Sequence, residues 1–241
     1  MSEPTGLTHI WVYLEASPLL GLTLTVLAYV GADWLWRRLG QPALLHPVLV
    51  AIVALVTILR LTNTPYDTYF AGAQFVHFLL GPATVALAVP LYRNIALVRK
   101  SAFAIGIAIV AGSLTSVVSG IAIARYLGAT DAVTRSLAPK SVTAPIAMGI
   151  SEHIGGIPTL TAALVIITGI TGAILAPFIF GRGKPDWAAR GLAIGMASHG
   201  IGTARALSLD TTAGAFASLA LGLNAIASSL LVPLVASVLL R

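Results

Sequence analysis

Read for polarity alone, the chain is a series of apolar runs of about 20 residues, the length that crosses a bilayer as a helix, separated by short polar connections. Residues 17–36 form the first run, closed by Trp34, Trp36, Arg37 and Arg38, residue types that gather at a membrane interface. A turn at Gly40-Gln41-Pro42 leads to a second run over 43–59 that ends at Arg60, and 61–74 reads as an interfacial loop with Asn63, Pro65, Tyr66 and Asp67. Residues 75–92 are long enough to cross, but Gly81-Pro82-Ala83-Thr84 lies in their middle. Proline removes a helix hydrogen bond and clashes with the preceding turn, so a break is expected there. A basic loop over 93–100 precedes 102–124, which carries no charge. The hydrophilic connection 125–140 follows, then the polar-interrupted stretch 139–156, an apolar run over 158–180 and a basic loop over 181–190. A second interrupted stretch over 191–209 leads to the long final run, 213–240. The runs show no period-two alternation, which predicts helices and excludes a barrel.

Composition agrees with that pattern: 57% of residues are hydrophobic and 9% charged, with a mean hydropathy of +0.94. The chain is therefore expected to be an all-α polytopic membrane bundle, a single integral membrane domain over 1–241. The start has no basic n-region or small-residue cleavage site, so the first run is expected to remain as a helix. Zero cysteines exclude disulfides, thiol catalysis and sulfur-ligated metal. The net charge of +6 sits in clusters beside apolar runs, where it speaks of topology and not of nucleic acid.

If 139–156 dips in and returns, about seven crossings and one re-entrant segment remain. The loops with Arg37, Arg38, Arg93, Arg99, Lys100, Arg182, Lys184 and Arg190, and the terminal Arg241, then share one side and hold most of the 14 basic residues. The positive-inside tendency places the N-terminus outside and the C-terminus in the cytoplasm. A weak internal repeat fits this count. Gly81 and Thr84 match Gly200 and Thr203, and Pro42 and Leu44 match Pro158 and Leu160, giving repeats of about 17–125 and 137–240 with inverted topology and one interrupted helix each. In that scheme 102–124 and 213–240 run in opposite directions. The alternative is that these small residues only let helices pack closely.

Ionisable residues at membrane depth are costly and serve ligands, ion pairs or proton relays by default. Glu152 and His153 lie in the first interrupted stretch, and Gly155-Gly156 behind them allows irregular backbone; they are candidates for proton coupling, or else they end the segment at the headgroup level. In the second stretch His199 is a further proton-coupling candidate. Arg205 and Thr203 are candidates for holding an anion, with the exposed helix N-termini at Gly200–Gly202 and at Gly81–Thr84 adding N–H groups and positive dipole ends. An Arg205–Glu152 ion pair and a snorkelling Arg205 stay open. Lys140, followed by Thr143, either attracts an anion at the entrance or anchors the interface. Asn224, alone in the final run, reads as a helix–helix hydrogen bond. No metal or cofactor is expected, and no H-E-x-x-H, nucleophile elbow or P-loop points to an enzyme.

Two blocks carry a resemblance to a known family. Residues 136–148 (SLAPKSVTAPIAM), continued by 150–158 (ISEHIGGIP), and residues 197–207 (ASHGIGTARAL) resemble the signature blocks of the LrgB/CidB family. That family includes the YohK-type bacterial inner-membrane proteins and the C-terminal half of the plastid glycolate/glycerate translocator. The resemblance implies a bacterial plasma-membrane carrier, or carrier subunit, for small monocarboxylates such as glycolate, glycerate or pyruvate. It also implies a small LrgA/CidA-type membrane partner, and an alternative role as a holin- or antiholin-like modulator of murein hydrolase activity and lysis. With no LrgA-like extension, the stand-alone form is expected. A homodimer is a further expectation, because the Gly/Ala/Ser-rich final run offers a close-packing surface.

Overall fold

The computed structural model describes residues 18–40, 42, 45–79, 82, 85–86, 88–181 and 186–240. Its regular elements are helices, as the runs without alternation require, and the molecule is a polytopic membrane helix bundle. The chain divides into two compact units, Met1–Ala86 and Leu87–Arg241.

The first unit holds α1 (Pro18–Arg38), α2 (Pro47–Leu61) and α3 (Tyr66–Phe78). Residues 61–74, expected as a loop, are mostly α3. The helix forms because Gly21 lets α1 approach it backbone to backbone: a Cβ at Gly21 would lie 2.4 Å from the Tyr69 carbonyl oxygen. The Tyr69 hydroxyl and Thr25 Oγ1 then meet at 2.8 Å. Tyr66 and Gln74, whose polarity suggested a loop, sit on the exposed face while Ala73 is buried. At the end of α1, Arg37 pairs with Asp33 at 2.7 Å and Arg38 lies 4.8 Å over the Trp34 ring, an interfacial cluster of the kind the sequence predicts. Gly81, Ala83 and Thr84, three of the four residues of the expected first break, lie outside the described residues.

The second unit holds α4 (Ala88–Arg93), α5 (Ile95–Lys100), α6 (Ala102–Tyr126), α7 (Asp131–Leu137), α8 (Ala144–His153), α9 (Pro158–Phe180), α10 (Trp187–Leu209) and α11 (Thr211–Leu239). With α1, the helices α6, α9 and α11 are long and apolar enough to cross a bilayer. In the second unit α6 and α11 are parallel. Ile105 and Ile109 share a core cluster with Phe216 and Ala220, Ser113 bonds Asn224, and Arg125 reaches the Leu239 carbonyl. Those two helices were expected to be opposed, and the reason for the difference lies in α10. It does not carry the chain to the other side but turns back on itself, leaving one crossing, α9, between them.

The small residues that open the final run, Ala213, Gly214, Ala215 and Ala217, are buried inside the chain. A Cβ on Gly191 or Gly195 of α10 would lie 2.2 Å from the carbonyl oxygens of Ala213 and Ala217, so the start of α11 packs against glycine. Its outward stripe is instead Ile226, Leu230, Leu234 and Val238, each more than 60% exposed, as a lipid-facing surface would be. Gly222, Ser229 and Ser237 of the same run stay exposed, Gly222 with nothing within 4 Å of where its Cβ would be.

Candidate functional site

Each of the two interrupted stretches is a re-entrant hairpin. The first begins earlier than the sequence suggested, because the connection 125–140 contains α7. Thr130 caps α7 by accepting from the Val133 amide at 3.4 Å. The chain then turns through 138–143, and α8, 10 residues and about 15 Å long, runs back out. Both arms are stitched together at the open end. Arg135 donates to the Ile154 carbonyl at 2.8 Å and to the Leu240 carbonyl at 2.9 Å, and the Ile157 amide donates to Ser136 Oγ at 2.7 Å. Gly155 takes φ +76°, and a Cβ at Gly156 would lie 2.9 Å from the Ser136 nitrogen, so the turn out of α8 requires both glycines.

The second hairpin is α10. At His199 the backbone takes φ 40°, ψ −130°, a combination rare outside glycine, and the chain reverses. The contacts establish the reversal. Gly191 and Gly195 lie against Ala213 and Ala217 in ascending order, whereas Gly214 meets Leu207, and Thr203 Oγ1 reaches the Ala217 carbonyl at 3.4 Å, in descending order. Gly202 lies against Ile194, eight positions earlier, which a straight helix forbids. The first arm, 187–198, is about 18 Å long, a little over half of a hydrocarbon core of about 30 Å. It runs back along α9, so that Ser198 packs on Gly172 and the His199 ring on Gly169.

The two hairpins enter from opposite ends of the unit. The first lies between the end of α6 and the start of α9; the second lies between the end of α9 and the start of α11. Their tips come to one level, at Asn224 in the middle of α11. Its Nδ2 donates to the Ser141 carbonyl of the first tip at 2.8 Å and to the Met196 carbonyl near the second at 3.3 Å, while Oδ1 accepts from Ser113 of α6 at 2.6 Å. Asn224 was expected to join two helices; it joins both hairpins to both flanking helices.

The candidate residues therefore separate into groups. At the first tip, Lys140 Nζ donates to the Ser116 carbonyl at 2.9 Å and Oγ at 3.2 Å, lying so close to α6 that a Cβ on Gly120 would be 2.7 Å away. Among the described residues no carboxylate forms an ion pair with it. Thr143 is the N-cap of α8 and its side chain makes no capping bond, so that helix presents its N-terminus at the tip. At the second tip, Gly200 opens the outgoing arm, with nothing within 4 Å of where its Cβ would be. Gly202 and Thr203 are packing elements. Thr203 donates to the His199 carbonyl at 2.8 Å, and His199 Nε2 lies 2.9 Å from the Val165 carbonyl, which holds the reversal in place. The Ser198 hydroxyl, missed by sequence reasoning, is buried with no bonded partner among the described residues. A serine between Ala197 and His199 carried no sequence signal of its own.

Glu152 and His153 are exposed at the far end of α8 from Lys140, beside a cavity of about 670 Å³ that His153 and Arg135 help to line. Arg205 faces away from both tips, into a cavity at the open end of the second hairpin. Neither the Arg205–Glu152 pair nor a cluster of Arg205 with Glu152, His153 and His199 is formed. Helical repeat alone could not reveal this, because the reversal at His199 decides which way each later residue faces.

Paired re-entrant hairpins held between long apolar helices define an integral membrane protein with irregular backbone buried at depth, where a bilayer tolerates it only inside protein or beside a cavity. The chain belongs to the LrgB-like family, whose profile matches residues 25–238. It is 38% identical over 209 residues to the uncharacterized protein YwbG of Bacillus subtilis, covering 86% of this chain and 92% of that one. It is 34% identical over 215 residues to YxaC of the same organism, covering 89% and 93%. The holin-like protein CidB of Staphylococcus aureus is 33% identical over 223 residues, covering 92% and 96%. No solved structure matches.

Proposed function

We propose that this membrane protein is a secondary carrier, or the carrier subunit, for small monocarboxylates of the glycolate, glycerate or pyruvate type. The observation that carries the reading is the meeting of two opposed hairpin tips at Asn224, with Lys140 beside them. A charged group at membrane depth costs about 2.5–3.5 kcal/mol even on insertion scales, and Lys140 has no carboxylate partner to offset it among the described residues. A bound carboxylate supplies that partner. The N-terminus of α8 at Thr143 and that of the outgoing arm at Gly200 add positive dipole ends, the arrangement by which broken helices hold anionic substrates near the midplane. The orphaned Ser198 hydroxyl is a further donor beside the second tip. Gly81 and Thr84 keep their place in the proposal only through their sequence match to Gly200 and Thr203, since parallel α6 and α11 do not follow the inverted repeat. Glu152 and His153 are exposed, so any proton exchange through them takes place at the mouth of the first hairpin.

The orientation we propose draws on the same geometry. Arg93, Arg99, Lys100 and Arg190 all lie toward the end where α9 finishes, and the positive-inside tendency puts that end in the cytoplasm of a bacterial plasma membrane. With α10 returning to the side it entered from, the C-terminal end of α11 is then outside, the reverse of the expectation from seven crossings. A small LrgA/CidA-type protein is the proposed partner.

The holin-like naming of the staphylococcal relatives supports a second reading, a pore controlling lysis. Proteoliposomes separate the two. Saturable counterflow of labelled glycolate or pyruvate, lost in Lys140→Gln with the fold intact and without release of entrapped carboxyfluorescein, supports the carrier. Unselective dye release with no counterflow, in the presence and absence of the partner, supports the pore.

A further inference from the structure

The first tip holds more hydrogen-bond donors than it has acceptors to receive them. An ammonium carries three N–H donors and no acceptor. Lys140 Nζ spends two of them, on the Ser116 carbonyl at 2.9 Å and on Ser116 Oγ at 3.2 Å. Ser116 Oγ lies in turn 2.6 Å from Ser141 Oγ. Only one of the two hydroxyl hydrogens can lie between those oxygens, and neither hydroxyl has a further partner among the described residues. Asn224 does not take the surplus. Its amide hydrogens go to the Ser141 and Met196 carbonyls, and its Oδ1 accepts from Ser113 at 2.6 Å and from Ser228 at 3.4 Å.

The cation fixes which hydrogen is left over. A hydroxyl that accepts from an ammonium is polarised and becomes the better donor to the next oxygen. The chain of bonds therefore runs from Lys140 Nζ through Ser116 Oγ to Ser141 Oγ and ends on the Ser141 hydrogen. Ser141 is partly buried, and the Asn224 bond to its carbonyl pins its backbone, so the terminal donor is held in place one residue from the ammonium. A monocarboxylate with an oxygen on carbon 2 presents two acceptors on adjacent carbons, as close to one another as two hydrogen-bonded atoms. Resting on the carrier reading of the same site, we infer that Ser141 determines specificity. With the substrate carboxylate on the third N–H of Lys140, the Ser141 hydroxyl donates to the oxygen on carbon 2, whether that oxygen is a hydroxyl or a carbonyl. An acid with a plain methylene or methyl there leaves the donor unpaired.

The test is inhibition of labelled-pyruvate counterflow, in proteoliposomes of the full chain, by unlabelled acids matched in size. Propionate differs from pyruvate at carbon 2 alone, and the donor it leaves unpaired predicts that half-inhibition needs at least about fivefold more of it. 3-Hydroxypropionate, with its oxygen one carbon further out, should behave like propionate, and acetate should fall short of glycolate by a similar factor. Ser141→Ala should bring pyruvate and propionate to within about twofold of each other without weakening propionate itself, a pattern that general damage to the tip does not give. Ser141→Thr keeps the hydroxyl and should keep the preference. Equal inhibition by pyruvate and propionate in the unaltered protein, equal inhibition by pyruvate and 3-hydroxypropionate, or a preference that survives in Ser141→Ala overturns the inference and leaves the carrier reading standing. Absence of counterflow from the unaltered protein overturns the carrier reading itself, and the inference with it.

Discussion

If Asn224 is the joint between the hairpins, replacing it with leucine should loosen both tips at once. Leucine keeps the bulk and removes the bonds to Ser113 at 2.6 Å, Ser141 at 2.8 Å and Met196 at 3.3 Å. Interhelical hydrogen bonds of this kind contribute about 0.6 kcal/mol each on average and up to about 1.7. Three of them give a loss of at least about 2 kcal/mol, or roughly 30-fold in the opening equilibrium of the tips. Hydrogen exchange of the reconstituted protein reads this directly. Peptides covering 138–143 and 196–202 should exchange about 30-fold faster in Asn224→Leu, while the middle of α6, outside both hairpins, changes little. Unchanged exchange at the two tips, or acceleration confined to one, would refute the idea that a single side chain fastens both.

Two further predictions concern the backbone. Gly195→Ala forces a Cβ to within 2.2 Å of the Ala217 carbonyl oxygen and should cost about 1–3 kcal/mol, lowering the thermal midpoint by about 2–12 °C, whereas Gly200→Ala, with no neighbour within 4 Å, should leave the midpoint nearly unchanged. At His199, φ 40° favours glycine, so His199→Gly should fold better than His199→Ala although both lose the bond to Val165; a thermal scan in which alanine is the better tolerated would contradict a reversal at this position.

Much of this architecture is legible in the apolar runs. Residues 102–124 and 158–180 recur with little change as α6 and α9, and the two stretches that carried polar residues and glycine among apolar ones are the two hairpins. What the pattern cannot show is direction. A kinked crossing and a hairpin of two half-length arms have the same hydropathy profile, and the difference rests on one residue, His199, whose backbone conformation leaves no trace in composition. That single reversal makes α6 and α11 parallel and turns Arg205 away from the tips. The re-entrant form of 139–156 was readable because Pro139, Pro145, Gly155 and Gly156 bracket a helix too short to cross. Asn224 was visible as an isolated polar residue, but its partners come from segments 28, 83 and 111 residues away, beyond any local reading.

The most direct test of the carrier reading uses the natural absence of cysteine. Gly200→Cys introduces a single thiol at the second tip, where a Cβ meets nothing within 4 Å. Its rate of reaction with a small maleimide is measured in proteoliposomes with glycolate, with pyruvate and with the neutral glycolamide. Saturable protection by both carboxylates, none by the amide, and loss of protection in Lys140→Gln are expected. Counterflow that persists in Gly200→Cys while neither carboxylate slows the labelling would place the anion site elsewhere in the molecule.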